Sequence, residues 1–444
     1  MSRSILALYA AAALLTLGLV STRIRGADEI EYFSHLRSAV FDRDLDFANE
    51  YSHFYGQNPE GLKGFKETFL DRREPVTGRP INFAPIGSAV LWSPFYLAAD
   101  ALVRRGMLRG EADGFSRPYT AAVAYGSSLL AIAGFLMMHQ LMRRHLGLSE
   151  GLAATAVMGS WFGTPALYYM TVAPAFAHAP SIFAVSLFFL LWLRAREKDS
   201  VASWGLAGAA AGLAMLVREQ AAFFLIAPGL DLLARLVRGD FVRVFERAAA
   251  TLGACGLVFS PQLLAYQAIN GAFGPSRLVQ RKMDFASPHF FDVLIDPGHG
   301  LLLWTPVLIL SIIGLIRAVP RLGALGAFFL AALAAQIYIN GAVLSWHQAG
   351  AFGSRRFVDA TVLFAIGLGF GLISFRTGLQ KILVAIAIWW NVSLMIQFGL
   401  KLMDRQRLDW PGVAARQVTE VPARLFGAAR LYLTDPEALV RGTR

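Results

Sequence analysis

The sequence predicts an all-α integral membrane protein, a bundle of about eleven transmembrane helices, and three observations carry that prediction. The chain is 56% hydrophobic and 16% charged, with a mean hydropathy of +0.50, whereas a soluble domain carries charge on about a quarter of its residues. Long apolar runs such as 5–20, 202–217, 301–316 and 382–396 approach the ~20 residues that cross a hydrocarbon core. Inside lipid the backbone must satisfy its own hydrogen bonds, so these runs are helices, and the alternating pattern of a membrane β-barrel is absent.

Taken in order, residues 1–20 form the first span. One Arg precedes the apolar run, and no small-x-small cleavage site follows it before Ser21-Thr22-Arg23-Ile24-Arg25, so it reads as an uncleaved anchor. Residues 24–117 do not span. Their first part, 24–84, holds 11 of the chain's 30 Asp and Glu. The apolar, aromatic stretch 86–104 contains Pro94 and ends in Arg104-Arg105, and it is assigned as a helix lying in the membrane interface. Later spans begin near Pro118, Gly151, Ala179, Val201, Ala221, Ala248, Leu301, Leu322, Phe357 and Ile382. With this threading the short loops on one side carry 13 Lys and Arg, from Arg143 to Lys381, and those on the other carry 6. The richer side is expected to be cytoplasmic together with the N-terminus, because basic loops are retained there. Making 86–104 a true span would invert the balance. Residues 1–400 thus form one membrane domain, and 401–444 form a short tail on the outer face.

The +11 net charge is explained by those loops, so no nucleic-acid partner is expected. The single Cys255 lies within a span and permits no intrachain disulfide.

Candidate chemistry gathers on the outer face. Asp28 and Glu29 form an acidic pair where the first span meets water, suited to taking a hydroxyl proton or holding a divalent cation. Glu50, among Asn49, Tyr51 and His53, is the acid of its stretch most expected to face inward. Arg218, Arg355 and Arg356 break the positive-inside trend, and a phosphate is the natural partner of such guanidinium groups. His178, His299, Trp346 and His347 supply rings and hydrogen-bonding groups suited to a sugar. Each feature also has a plain structural explanation: a solvated loop start, arginines snorkelling to lipid headgroups, and aromatic belts at the interface.

Several segments together resemble the GT-C superfamily, membrane glycosyltransferases that use polyprenyl-phosphate-linked sugars. They are Ala27-Asp28-Glu29, the acidic stretch from Asp44 to Tyr51, Asn82-Phe83-Ala84-Pro85, Trp161-Phe162-Gly163-Thr164-Pro165, and Phe352-Gly353-Ser354-Arg355-Arg356. Their order resembles the bacterial branch related to protein mannosyltransferases and lipid A aminoarabinose transferases. The resemblance implies a GT-C-type bundle with interfacial helices in the first outer loop, in the cell (inner) membrane. It implies Asp28 as general base, Glu29 and Glu50 as assisting acids, and Arg218, Arg355 and Arg356 as holders of the carrier phosphate. The partners implied are a polyprenyl-phosphate-linked sugar, a glycan, lipid or protein acceptor, and membrane lipid. His178 stands where many relatives carry a carboxylate, and Gly298 where they often carry a basic residue. No metal ligands are therefore assigned, and a divalent cation stays an open alternative. The rival reading is a transporter or flippase of a lipid-linked anion, which calls for ionisable groups near the midplane and for repeat symmetry.

Overall fold

The computed structural model describes residues 1–348 and 350–434, so the last ten residues of the expected tail lie outside the described residues. The chain runs through α1 (Arg3–Gly18), α2 (Ala27–Arg37), α3 (Ala48–Gln57) and α4 (Gly87–Arg104) before the long α5 (Arg117–Arg144). Then come α6 (Glu150–Phe162), α7 (Ala166–Thr171), α8 (His178–Lys198), α9 (Val201–Val217), α10 (Ile226–Val237) and α11 (Phe241–Asn270). A loop with three single turns, α12 (Arg277–Gln280), α13 (Asp292–Ile295) and α14 (Leu301–Trp304), leads to α15 (Val307–Leu322) and α16 (Ala324–Gly341). α17 (Thr361–Leu372), α18 (Thr377–Gly399) and α19 (Trp410–Thr434) complete it. Among the described residues β pairing is limited to two isolated bridges.

The protein is a multi-pass membrane protein. Among the described residues six helical stretches are long and apolar enough to cross a bilayer: α5, α8, Glu219–Val237, α11, α16 and α18. α1 and α9 are shorter apolar helices. The other expected passes are interrupted, for identifiable reasons. The run 301–316 breaks after Trp304, because Pro306 has no N–H to continue the ladder, and its main helix starts at Val307. α6 stops at Phe162 before Gly163-Thr164-Pro165, and the chain resumes as α7. The last interrupted pass opens with a 3-10 segment, Arg355–Ala360, and α17 proper is only 12 residues long. All of α17 is buried, which suits a helix that is apolar on every side.

The two ends of the bundle differ. At the N-terminal end Arg143 and the terminal amine approach Glu150 at 3.6 and 3.7 Å, and His145 bonds Glu197 at 2.6 Å. Arg196 there meets Asp231, and Arg235 meets Asp199, at 2.8 and 2.7 Å. These pairs gather the ends of α5, α8 and α10 and the starts of α6 and α9 at one level.

The opposite end carries a helical cap built from α2, α3 and α4. Ile30, Phe33, Phe47, Tyr51, Trp92 and Tyr96 are fully buried within it. Trp92 donates to Ser127 at 2.7 Å and Tyr96 to the Gly114 carbonyl at 2.8 Å, so the cap is bonded to α5 and its leading loop. α4 buries Trp92, Tyr96, Ala99 and Val103 on one stripe and exposes Val90 and Leu97. That stripe follows the helical repeat, and the opposite apolar edge suits an interfacial helix; its bounds lie within one residue of the expected 86–104. The tail also folds back on this end. Leu408 donates to the Pro297 carbonyl at 2.7 Å and Trp410 stacks on Trp390 at 4.3 Å.

Candidate active site

The helix period decides which acids of the first loop face inward. Asp28, Glu31 and Tyr32 lie three and four residues apart, on one face of α2, and they line a cavity of about 330 Å³. Glu29 is turned about 100° from Asp28 and leaves that face. Its Oε2 accepts the Gly26 and Arg25 backbone N–H groups at 2.8 and 2.9 Å, so it caps the first turn of the helix. Burial pushes its carboxyl up to about 7, against the lowering effect of those two bonds. Glu31 is buried as well. Its Oε1 accepts the Phe83 N–H at 2.7 Å, and burial, with the Asp28 charge adding to it, raises its carboxyl well above the ordinary range.

Four cations line the same cavity: Arg218, Lys282, Arg355 and Arg356. Each sits where a helix ends or a loop turns. Arg218 follows α9 in extended backbone (φ −150°, ψ 115°), which directs its side chain away from the helix it ends. Gly353 adopts φ +61°, a left-handed conformation that glycine enters freely, and this turn presents Ser354-Arg355-Arg356. Arg355 Nη1 lies 3.0 Å from Asp28 Oδ2, and its guanidinium stands over the Phe176 ring at 5.3 Å. Arg218 is held by Gln220 at 2.9 Å, by His178, and by Asp359 at 3.7 Å. Arg356 donates to the Ser345 carbonyl and hydroxyl, both at 3.0 Å, with no carboxylate paired to it among the described residues.

The cavity therefore brings together Asp28, His178, Arg218, Arg355 and Arg356 of the expected site. The other expected residues lie elsewhere. Glu50 is buried in the cap, paired with Arg37 at 3.0 Å. Trp346 and His347 line a second cavity of about 500 Å³ with Asp296, Gln406 and Arg407. His299 is buried, stacked on Trp304 at 5.2 Å and bonded to the Ala351 carbonyl at 2.8 Å. Sequence reasoning passed over Glu31, Tyr32 and Lys282. The first two were within reach, since i, i+3 and i, i+4 spacing from Asp28 puts them on its face. Lys282 had no such signal, because a loop brings it in.

A metal does not fit this donor set. Asp28 is engaged by Arg355, Glu31 by a backbone N–H, and four cations share the space. Among the described residues no three of His, Cys, Asp and Glu come together as a metal site.

An apolar groove of about 590 Å³ continues from the cavity, sharing Tyr32, Phe83, Arg218, Gln220 and Met283 with it and adding Phe223, Phe285 and Ile339. The arrangement is a charged pocket for an anion, with a carboxylate at its edge and an apolar slot leading away.

The profile of the family described as dolichyl-phosphate-mannose-protein mannosyltransferase matches residues 117–264. The crystal structure of ArnT from Cupriavidus metallidurans bound to undecaprenyl phosphate is similar over 94% of this chain and 75% of that one, with a TM-score of 0.56 and 15% identity. The chain has the GT-C fold. The apo structure of the same ArnT is similar over 93% of this chain and 74% of that one, with a TM-score of 0.50 and 14% identity. No curated protein sequence matches. Within this fold the cap of α2, α3 and α4 precedes the long helix α5, and α2 carries the Asp28 face of the cavity.

Proposed function

We propose that the protein transfers a sugar from a polyprenyl-phosphate donor to an acceptor hydroxyl at the outer face of the inner membrane, with inversion at the anomeric carbon. The observation that carries this reading is the meeting of Asp28 and Arg355 at 3.0 Å in a cavity that also receives Arg218, Arg356 and Lys282. The adjoining apolar groove and the undecaprenyl phosphate bound in the similar ArnT structure support a prenyl phosphate as the donor's carrier.

In this reading the acceptor oxygen attacks the anomeric carbon as the bond from that carbon to the phosphate oxygen breaks. Asp28 takes the hydroxyl proton, and the electron pair of the broken bond leaves with the polyprenyl phosphate. Arg355 holds the Asp28 carboxylate in place, and the Asp28 side chain, 42% exposed, stays open to the acceptor. Arg218, Arg356 and Lys282 meet the growing phosphate charge. The two arginines are preorganised by Asp359, Gln220 and Ser345, so little reorganisation is needed as the charge develops. Glu31, kept protonated by burial, donates a hydrogen bond to the sugar. Glu29 acts through the cap it makes, by fixing the turn that bears Asp28.

The transporter alternative asks for ionisable groups near mid-membrane. The cavity's groups instead sit at helix ends and in loops, which favours the enzyme. The test is release of polyprenyl phosphate by purified protein supplied with a panel of polyprenyl-phosphate sugars and acceptors. Asp28→Asn should lower turnover about 10²–10⁴-fold while leaving insertion and thermal unfolding unchanged. Full activity in Asp28→Asn would remove the base assignment.

A further inference from the structure

A second cavity at this end of the bundle is separate from the one that holds Asp28. It measures about 660 Å³ and lies behind the first turn of α2, bounded by Arg23 and Arg25 before α2, His53 and Gln57 on α3, and Arg117 at the start of α5. No Asp or Glu lines it. The three arginines are exposed and, among the described residues, have no ion-pair partner. The nearby acids are already engaged. Asp113 accepts the Phe115 and Ser116 N–H groups at 2.9 Å, Glu29 caps α2, and Asp100 pairs with Arg104 at 2.8 Å. His53 stacks on Phe115 at 4.0 Å, and burial holds its ring below its ordinary range, so it is a neutral hydrogen-bonding group here.

Arg117 also stands at the mouth of a separate apolar groove of about 460 Å³ between α4 and α5. Its walls are Phe95, Ala98, Ala99 and Leu102 on α4 and Ala121, Ala122 and Tyr125 on α5. Residues of both sets are three and four positions apart, so each is one helix face. The alanines at their centre leave a slot that larger side chains would close. Arg109 lies at the same mouth.

A cationic basin without acids and an apolar slot, joined at one arginine, match the two halves of an anionic lipid. We propose that this is a second lipid site, separate from the donor cavity, in which Arg23, Arg25 and Arg117 bind the phosphate of an outer-leaflet lipid and the α4–α5 groove takes its acyl chain. Arginine suits a phosphate by its forked donors, and a headgroup there lies at the depth of an interfacial helix. The bound lipid braces the back of the turn that presents Asp28, since Arg25 and Ile30 face the basin while Asp28 and Glu31 face the donor cavity.

The test is native mass spectrometry of the full-length protein in detergent, titrated separately with phosphatidylglycerol, phosphatidylcholine and inorganic phosphate. The wild type should retain one phosphatidylglycerol in preference to phosphatidylcholine. Arg25→Gln and Arg117→Gln should each weaken that retention roughly tenfold, Arg117→Lys should restore part of it, and Arg355→Gln should leave it unchanged. Ala122→Trp, which fills the groove without touching charge, should weaken phosphatidylglycerol binding and spare inorganic phosphate. Thermal unfolding of each variant separates lost binding from lost fold. Equal retention of the two lipids, or retention unaffected by both glutamine variants in folded protein, overturns the proposal. Inorganic phosphate binding together with phosphatidylglycerol retention that Ala122→Trp leaves unchanged would mark a free-anion site and overturn the lipid assignment.

Discussion

Adjacent carboxylates in the first turn of α2 have different surroundings, and helix geometry separates them. Asp28 and Glu29 read as a pair along the chain, but successive helical residues point about 100° apart, and the partner on Asp28's face is Glu31. Glu31→Gln keeps the hydrogen bond to Phe83 while altering what the group can offer a sugar in the proposed reaction. Its expected effect is a rise in donor KM of roughly tenfold or less, well short of the loss in Asp28→Asn, as steady-state kinetics would show. Glu29 should instead register in stability. Its carboxyl stands at about 7 in the native protein against an ordinary 4.5. Below about 4.5 both native and unfolded forms are protonated and the contribution is intact. As pH rises from 4.5 through 7, the unfolded chain releases a proton that the native state retains, so stability falls steadily between those two values. Glu29→Gln preserves a capping oxygen and removes the titration, so its thermal unfolding midpoint should vary less over that range than the wild type's. An unchanged pH profile would assign the dependence to another group.

At the scale of elements, small residues govern how closely the helices approach. Gly208 and Gly212, four apart on α9, face α11. A Cβ on Gly208 would meet the Thr251 carbonyl, and one on Gly212 would stand 2.5 Å from the Cys255 carbonyl. Lipid tails are as apolar as leucine, so helix association in a membrane rests on such close backbone packing. Gly212→Val is expected to destabilise by about 1–3 kcal/mol, measured by unfolding in detergent. Because α9 ends at Val217, the same change displaces Arg218 and should weaken donor binding too. The glycine spacing was legible in the chain, but the neighbour it faces was not. Likewise Pro165 and Pro306 could be read as breaks, whereas the burial of every residue of α17 became visible only once the helices around it were in place.

Over the whole molecule, the charge pattern makes a claim about sidedness. The paired, Arg-rich end holds the N-terminus, and the opposite end holds the Asp28 cavity. The only cysteine, Cys255, is buried, so introduced cysteines can report on either end with little background. Glu111→Cys, in the loop before α5, should react with a membrane-impermeant maleimide in intact spheroplasts. Lys198→Cys should react only after permeabilisation. The reverse pattern would invert the topology and place the cavity in the cytoplasm.

The sequence by itself determined that the chain is helical and membrane-embedded, that residues 86–104 form an apolar helix, and which arginines stand out against the loop-charge trend. Those properties are local or additive: hydropathy sums along a run, and charge is counted loop by loop. The tertiary structure alone decided that Asp28 meets Arg355, 327 positions further on, that Glu50 and His299 are packed elsewhere, and that Lys282 joins the cavity. These depend on which helix ends come to lie side by side. That is fixed by side-chain packing between distant segments, for which no single stretch of sequence carries the coordinates.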